Sequence, residues 1–125
     1  MTNEEFNTFC ASQTATEHVV QWGGADVWKV GGKVFAIGGW TKVKGQADKE
    51  VGFTFKTSEN NYLFLENKEG YRPAPYLASR GMKWIQKIGV DSSEDEALRY
   101  YILESYKMIA AALSKKKQRE LGIIN

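Results

Sequence analysis

DVWKVGGKVFAI, residues 26–37, decides the fold. Asp26 to Val30 and Lys33 to Ile37 are rich in β-branched and aromatic residues, and Gly31–Gly32 divides them. Adjacent glycines accept the positive φ of a two-residue primed turn, so the stretch predicts an antiparallel hairpin. The elements on either side must then supply a layer to cover it.

Downstream, Gly38 and Gly39 are expected to loosen the end of the second strand, and residues 41–49, polar and charged, to form an exposed loop. Val51, Phe53 and Phe55 alternate with Gly52, Thr54 and Lys56, the period of a strand with one buried face. Thr57 or Ser58 can cap a short helix through Tyr62, Leu63 and Leu65, with Gly70 ending the following turn. Upstream, Thr2 and Glu5 are spaced as a capping box, and Phe6 and Phe9 follow at helical spacing, so a helix is predicted over Asn3 to Gln13. Ala15 to Ala25, with His18 and Trp22, reads as a loop or irregular strand.

GYRPAPYLASRGMKWIQ, residues 70–86, holds both prolines of the chain. Proline removes a ladder donor, which excludes a central strand and predicts an extended connection from Tyr71 to about Tyr76. Met82 to Ile88 reads as a strand, with Met82, Trp84 and Ile88 on one face and Lys83, Ile85 and Lys87 on the other; Trp84 is expected in the core and the lysines in solvent. Ser93 and Glu96 are spaced as a second capping box. Leu98, Tyr101, Ile102, Ile109, Ala112 and Leu113 then repeat at helical spacing over about 20 residues, roughly 30 Å. Ser114 can cap a brief terminal turn before Gly122.

The predicted order is helix, three strands, short helix, one or two strands, long helix. Hairpin connections make the sheet antiparallel, and helices on one face complete a two-layer α+β domain. With 125 residues, 42% apolar and 26% charged, a single domain spanning 1–125 is expected.

Composition removes several functions. One histidine and one cysteine exclude a Cys/His zinc site, and a lone cysteine, with no intrachain disulfide, fits a reducing compartment. GGKVFAIGG is spaced as hairpin punctuation rather than as a phosphate-binding loop, and no GxSxG elbow occurs. No metal, cofactor or catalytic residue is assigned. No apolar run approaches the roughly 20 residues of a membrane span, and the acidic start is unlike a secretory signal, so a cytoplasmic protein without membrane contact is expected.

A net charge of +2 does not by itself imply a polyanionic partner, but the charge is uneven. Residues 70–90 carry Arg72, Arg80, Lys83 and Lys87 with no acid, and the tail carries Lys115, Lys116, Lys117 and Arg119. Cations that track phosphates and rings that stack on bases hold nucleic acid. The candidate contacts are Lys33, Lys42, Lys44, Arg72, Tyr76, Arg80, Lys83 and Lys87, with Lys33, Lys42 and Lys44 acting as wings. The tail run has a simpler explanation, since cations at a helix C-terminus gain about 0.3–1 kcal/mol each.

The order ATEHVVQWGGADVWKVGGKVFA, then GYRPAPYLASRGMKWI, then LESYKMIAAALSKK resembles the MmcQ/YjbR family over nearly the whole chain. Its most specific pieces are Thr16-Glu17-His18, Lys29-Val30-Gly31-Gly32-Lys33 with Phe35, Pro73-Ala74-Pro75-Tyr76 with Trp84, and Tyr106. The resemblance implies a compact α+β fold, also described as secretion-chaperone-like or frataxin-like, and a DNA-binding protein with a double-wing motif. It carries no catalytic residues. The alternatives are a small protein-interaction or chaperone-like module, with a protein partner or as a homodimer, and an enzyme or ligand binder built around Glu17, His18 and the proline block.

Overall fold

A computed structural model describes residues 1–42, 49–75, 77 and 81–124, with the main chain alone at 40–42 and 49. Helix α1 (Asn3–Ala11) is followed by strands β1 (Thr16–Gln21), β2 (Ala25–Val30), β3 (Lys33–Lys42) and β4 (Lys49–Lys56), helix α2 (Glu59–Leu65), strands β5 (Tyr71–Pro73) and β6 (Trp84–Ile88), and helices α3 (Asp95–Ala111) and α4 (Lys115–Glu120). The six strands form one antiparallel sheet in the order β1-β2-β3-β4-β6-β5, and the helices lie on one face of it.

The 26–37 hairpin forms as its glycines demand. Gly31 and Gly32 have φ of 58° and 79°, and Val30 pairs with Lys33. Four strands rather than three precede α2, because Thr16–Gln21 is a regular strand in register with β2, Thr16 opposite Val30 and Gln21 opposite Ala25. Its polar composition, Thr-Glu-His-Val-Val-Gln, hid it: as an edge strand it buries little on either face. Gly38 and Gly39 do not end β3, which runs on to Lys42 and pairs with β4 from Ala36 to Lys42. Gly38 lies beneath α1, where a methyl group would come within 2.5 Å of the Phe6 ring.

The core sits between sheet and helices. Val51, Phe53, Phe55 and Ile85 from the sheet meet Phe6, Leu65, Leu98, Ile102, Tyr106 and Ala110 from the helices. Phe6 stacks on Phe53 at 4.8 Å, and Tyr106 meets Phe35 edge-on at 5.3 Å. Ser105 is fully buried among them; its hydroxyl donates to Phe35 O at 2.6 Å and accepts from Lys56 N at 3.0 Å, tying α3 to β3 and β4.

The caps divide. Both bonds of the Thr2–Glu5 box are present, and Ser58 and Ser114 cap α2 and α4. α1 ends at Ala11, two residues before Gln13. The Ser93–Glu96 box does not form: Asp91 accepts from both the main-chain N and the hydroxyl of Ser93, which folds Ser92–Glu94 into a 3-10 turn, and α3 starts only at Asp95 with no side-chain cap. Ala112 is exposed just beyond α3 rather than in its apolar stripe.

Candidate nucleic-acid interface

Antiparallel pairing dictates which residues share an end of the sheet. Val30 pairs with Lys33, Ala36 with Phe55, and Lys56 with Trp84, so β2 and β4 finish where β3 and β6 begin. That end carries Lys33 at the start of β3, Lys56 at the end of β4 and Lys83 just before β6. The C-terminal end of α3 reaches the same place: a methyl group at Gly31 would lie 2.6 Å from Leu113 Cδ1. Lys33 is two residues beyond Gly31, and Lys115 two residues beyond Leu113, so the hairpin lysine and the lysine run of α4 lie toward the same end of the sheet.

The run's helix-dipole explanation covers only Lys117 and Arg119, which lie in the last turn of α4. Lys115 and Lys116 open a separate helix, α4, at the end where the dipole disfavours cations. α4 is held there by Gln118, buried, whose Nε2 donates to Ala110 O at 2.9 Å, Leu113 O at 3.0 Å and Ala111 O at 3.3 Å. These carbonyls lie at and just beyond the end of α3, where the helical ladder runs out, and Ala110 O also accepts from Leu113 N at 3.2 Å. Lys115, Lys116, Lys117 and Arg119 all face solvent.

Glu17, Glu59 and Glu120 also lie toward this end. The ion pairs formed among the described residues are Met1 ammonium–Asp95, His18–Asp26, Lys68–Glu94 and Lys107–Glu104, so Lys33, Lys56, Lys83 and Lys115 to Lys117 are in none of them. Lys83 Nζ sits 4.7 Å from the centre of the Tyr62 ring. The acidic first turn of α3, with Asp26 and Asp91, occupies the opposite end.

Not every sequence candidate belongs to this surface. Lys42 ends β3 at the far end, about 30 Å from Lys33 at roughly 3.4 Å per residue, so the two cannot be adjacent wings. Lys87 is corrected outright. It is 4% exposed on the helix-bearing face, opposite Phe53 and Tyr71, with Nζ donating to Ile88 O at 2.9 Å and lying 5.9 Å from the Tyr71 ring centre. Helices cover that face, so strand parity alone misread it as solvated.

Arg72 lies on the other, helix-free face. Its Nε and a terminal nitrogen donate to Gln86 Oε1 at 2.9 and 2.7 Å, and Gln86 Nε2 donates to Thr54 at 3.1 Å, a polar row across three strands. Trp84 is buried on that same face, outside the main core. Lys44, Tyr76 and Arg80 lie outside the described residues. Lys56 escaped sequence reading, although the antiparallel pairing of its strand was the signal that would have found it.

Glu17 and His18 point to opposite faces of β1, and β1 and β5 are opposite edges of the sheet, so they form no site with the proline block. His18 instead stacks on Trp28, centroids 4.6 Å apart, with Nε2 2.7 Å from Asp26 Oδ1. Asn3 donates to Asp26 Oδ2 at 2.6 Å, and Trp28 Nε1 donates to Asn7 at 2.9 Å. Burial works to raise the Asp26 carboxyl, but hydrogen bonds from Asn3, His18 and Asn7 and the charge of His18 hold it below its usual range. This cluster fastens α1 to the sheet. Cys10 is buried, and burial pushes its thiol up, away from the reactive thiolate. Among the described residues no three His, Cys, Asp or Glu side chains group to hold a metal, and no helix is long and apolar enough to cross a membrane.

A six-stranded antiparallel sheet with its helices on one face defines a small two-layer α+β class. The chain belongs to the YjbR family, whose model matches residues 11–108. Its fold is similar to the crystal structure of Deinococcus radiodurans protein DR2400, assigned to domain DUF419, with TM-score 0.77 and 16% identity over 97% of this chain and 88% of that one. It is also similar to the crystal structure of a Pseudomonas syringae protein, with TM-score 0.67 and 17% identity over 87% of this chain and 99% of that one. No curated protein matches the sequence.

Proposed function

We propose that the protein is a non-enzymatic DNA-binding protein that uses the lysine-bearing end of its sheet. The observation that supports this reading is the close approach of Gly31 and Leu113, which sets the chain leading to Lys33 beside the chain leading to Lys115, Lys116 and Lys117. Lys56 and Lys83 extend the same surface along the strand ends. Exposed ammonium groups without carboxylate partners neutralise phosphates and release counterions, so affinity falls with salt by about 0.9 log units per log unit for each phosphate contacted. Lys87 takes no part.

Fluorescence anisotropy with a labelled duplex across a salt series tests this. Binding at low salt is expected, weakening as salt rises, and Lys33→Glu combined with Lys115→Glu is expected to lower affinity at least tenfold and flatten the salt slope. Lys68→Glu, on the acidic side of the molecule, is expected to change little. Absence of binding at low salt, or equal affinity for the double variant, rejects the proposal.

A further inference from the structure

The two edges of the sheet are protected very differently. β5 has three residues, one of them Pro73, and carries Arg72, features that discourage pairing with another chain. β1 has six residues and neither proline nor lysine. Its main chain bonds to β2 on one side, and among the described residues nothing bonds to the other.

The same strand leaves apolar surface uncovered. Val20 is 62% exposed, and Trp22, in the turn that follows, is 64% exposed. Trp22 holds a left-handed φ of 51°, beside Gly23 and Gly24 at 75° and 96°. A bulky residue in that region costs on the order of 1–2 kcal/mol, and nothing in a single chain repays it by burying the ring.

We propose that β1 pairs with β1 of a second copy of this chain, antiparallel about a two-fold axis normal to the sheet, so that the two sheets become continuous. Thr16, His18 and Val20 lie on the helix-bearing face and Glu17, Val19 and Gln21 on the other. With helices kept on one side, each residue must oppose one of its own face. A register centred on Val19 does this along the whole strand. Val19 meets its own copy, His18 meets the partner's Val20, Glu17 meets the partner's Gln21, and Thr16 lies toward the turn that carries the partner's Trp22. No like charges are opposed, the Glu17 carboxylate gains an amide donor, and the exposed Val20 side chain gains a neighbour. A register centred on His18 would set imidazole against imidazole and leave Gln21 outside the paired strand. A single strand pair is at the small end of specific interfaces, so the dimer is concentration-dependent. The pairing does not depend on DNA binding.

Light scattering on the full chain over a concentration series, with Val19→Lys and Val19→Cys variants, tests it. The wild type is expected to rise from 14.1 kDa toward twice that mass. Val19→Lys, placing two ammonium groups on the axis, is expected to stay at the monomer mass with an unchanged circular dichroism spectrum and melting temperature. Directly opposed strand residues have Cα atoms about 4.5–5.5 Å apart, within disulfide reach. Val19→Cys is therefore expected to cross-link under mild oxidation, while buried Cys10 does not compete; this readout stands even if Val19→Lys fails to fold. A wild type that stays monomeric at every concentration overturns the proposal and leaves the edge to a strand of a different protein. A dimer that withstands Val19→Lys, or a Val19→Cys chain that stays reduced, overturns it too.

Discussion

Leu113 occupies the space where a side chain on Gly31 would stand. A methyl group there would meet its Cδ1 at 2.6 Å and its Cδ2 at 2.8 Å, and Gly31 also holds a left-handed φ of 58°. Gly32, next to it, has φ 79° and nothing within 4 Å. Both Gly31→Ala and Gly32→Ala incur a backbone penalty of about 1 kcal/mol, but only the first must also displace Leu113. Chemical denaturation is expected to show the larger loss for Gly31→Ala, and its DNA affinity to fall as Lys33 and Lys115 separate. Equal losses would mean that Leu113 yields freely.

Gly38 offers a sharper steric test. A methyl group on it would reach 2.5 Å from Phe6 Cε2, and Phe6 cannot retreat because it is fully buried and stacked on Phe53. Overpacking of this kind costs about 1–3 kcal/mol. Gly38→Ala is expected to lose that amount in urea unfolding, whereas Gly39→Ala, whose nearest neighbour would be 3.4 Å away, is expected to lose less.

The contrast between these glycines shows what the sequence made legible. Gly31–Gly32 announced a turn because its chemistry is local, and the alternation at Val51, Phe53 and Phe55 announced a buried face for the same reason. Gly38 resembled a strand terminator until α1 was seen above it. β1 stayed hidden because edge strands need not alternate, and Lys87 was misplaced because strand parity gives two faces without saying which one the helices cover. The cationic surface was half visible. Lys33 and Lys115 to Lys117 stood out as charges, but their meeting depends on long-range pairing and on Gln118, whose role nothing nearby in sequence signals.

Gln118 is the reason α4 stays beside the hairpin. Its buried amide donates to three carbonyls at and just beyond the end of α3, of which Ala110 O also accepts from Leu113 N. Gln118→Ala is expected to destabilise the fold by about 1–3 kcal/mol, since three carbonyls lose the amide that ties α4 to them. Amide exchange should quicken first in α4 and the last turn of α3. Unchanged exchange there would show that Leu121 and Ile123, which pack against the core, hold the helix without it.

Lys87 separates burial from binding. Lys87 is buried with one hydrogen-bond acceptor, Ile88 O, and the Tyr71 ring beside it, and it makes no ion pair among the described residues. Lys87→Met, close in volume, is expected to leave the melting temperature unchanged or raised and DNA affinity at the wild-type level. A loss of affinity with the fold intact would bring Lys87 back into the interface.

Asp26 sets a pH dependence with a definite sign. Although burial opposes it, hydrogen bonds from Asn3, His18 and Asn7 hold its folded carboxyl below the unfolded value of about 3.9. A group lowered in this way contributes stability that is fully present above the unfolded value and is lost as pH falls through the folded one. Glu5, lowered first by the main-chain hydrogen bond at Thr2, and Asp91, lowered first by that of Ser93, titrate with the same sign, so the wild type alone cannot isolate Asp26. Comparison with Asp26→Asn does. At neutral pH the variant is expected to be about 1–3 kcal/mol less stable, having lost hydrogen bonds to a charged acceptor. Urea unfolding repeated from pH 7 to pH 3 should show that gap closing below about pH 4, as the wild-type carboxyl takes up its proton. A gap that stays constant across the range would mean that the carboxylate's charge contributes nothing to fastening α1 on the sheet.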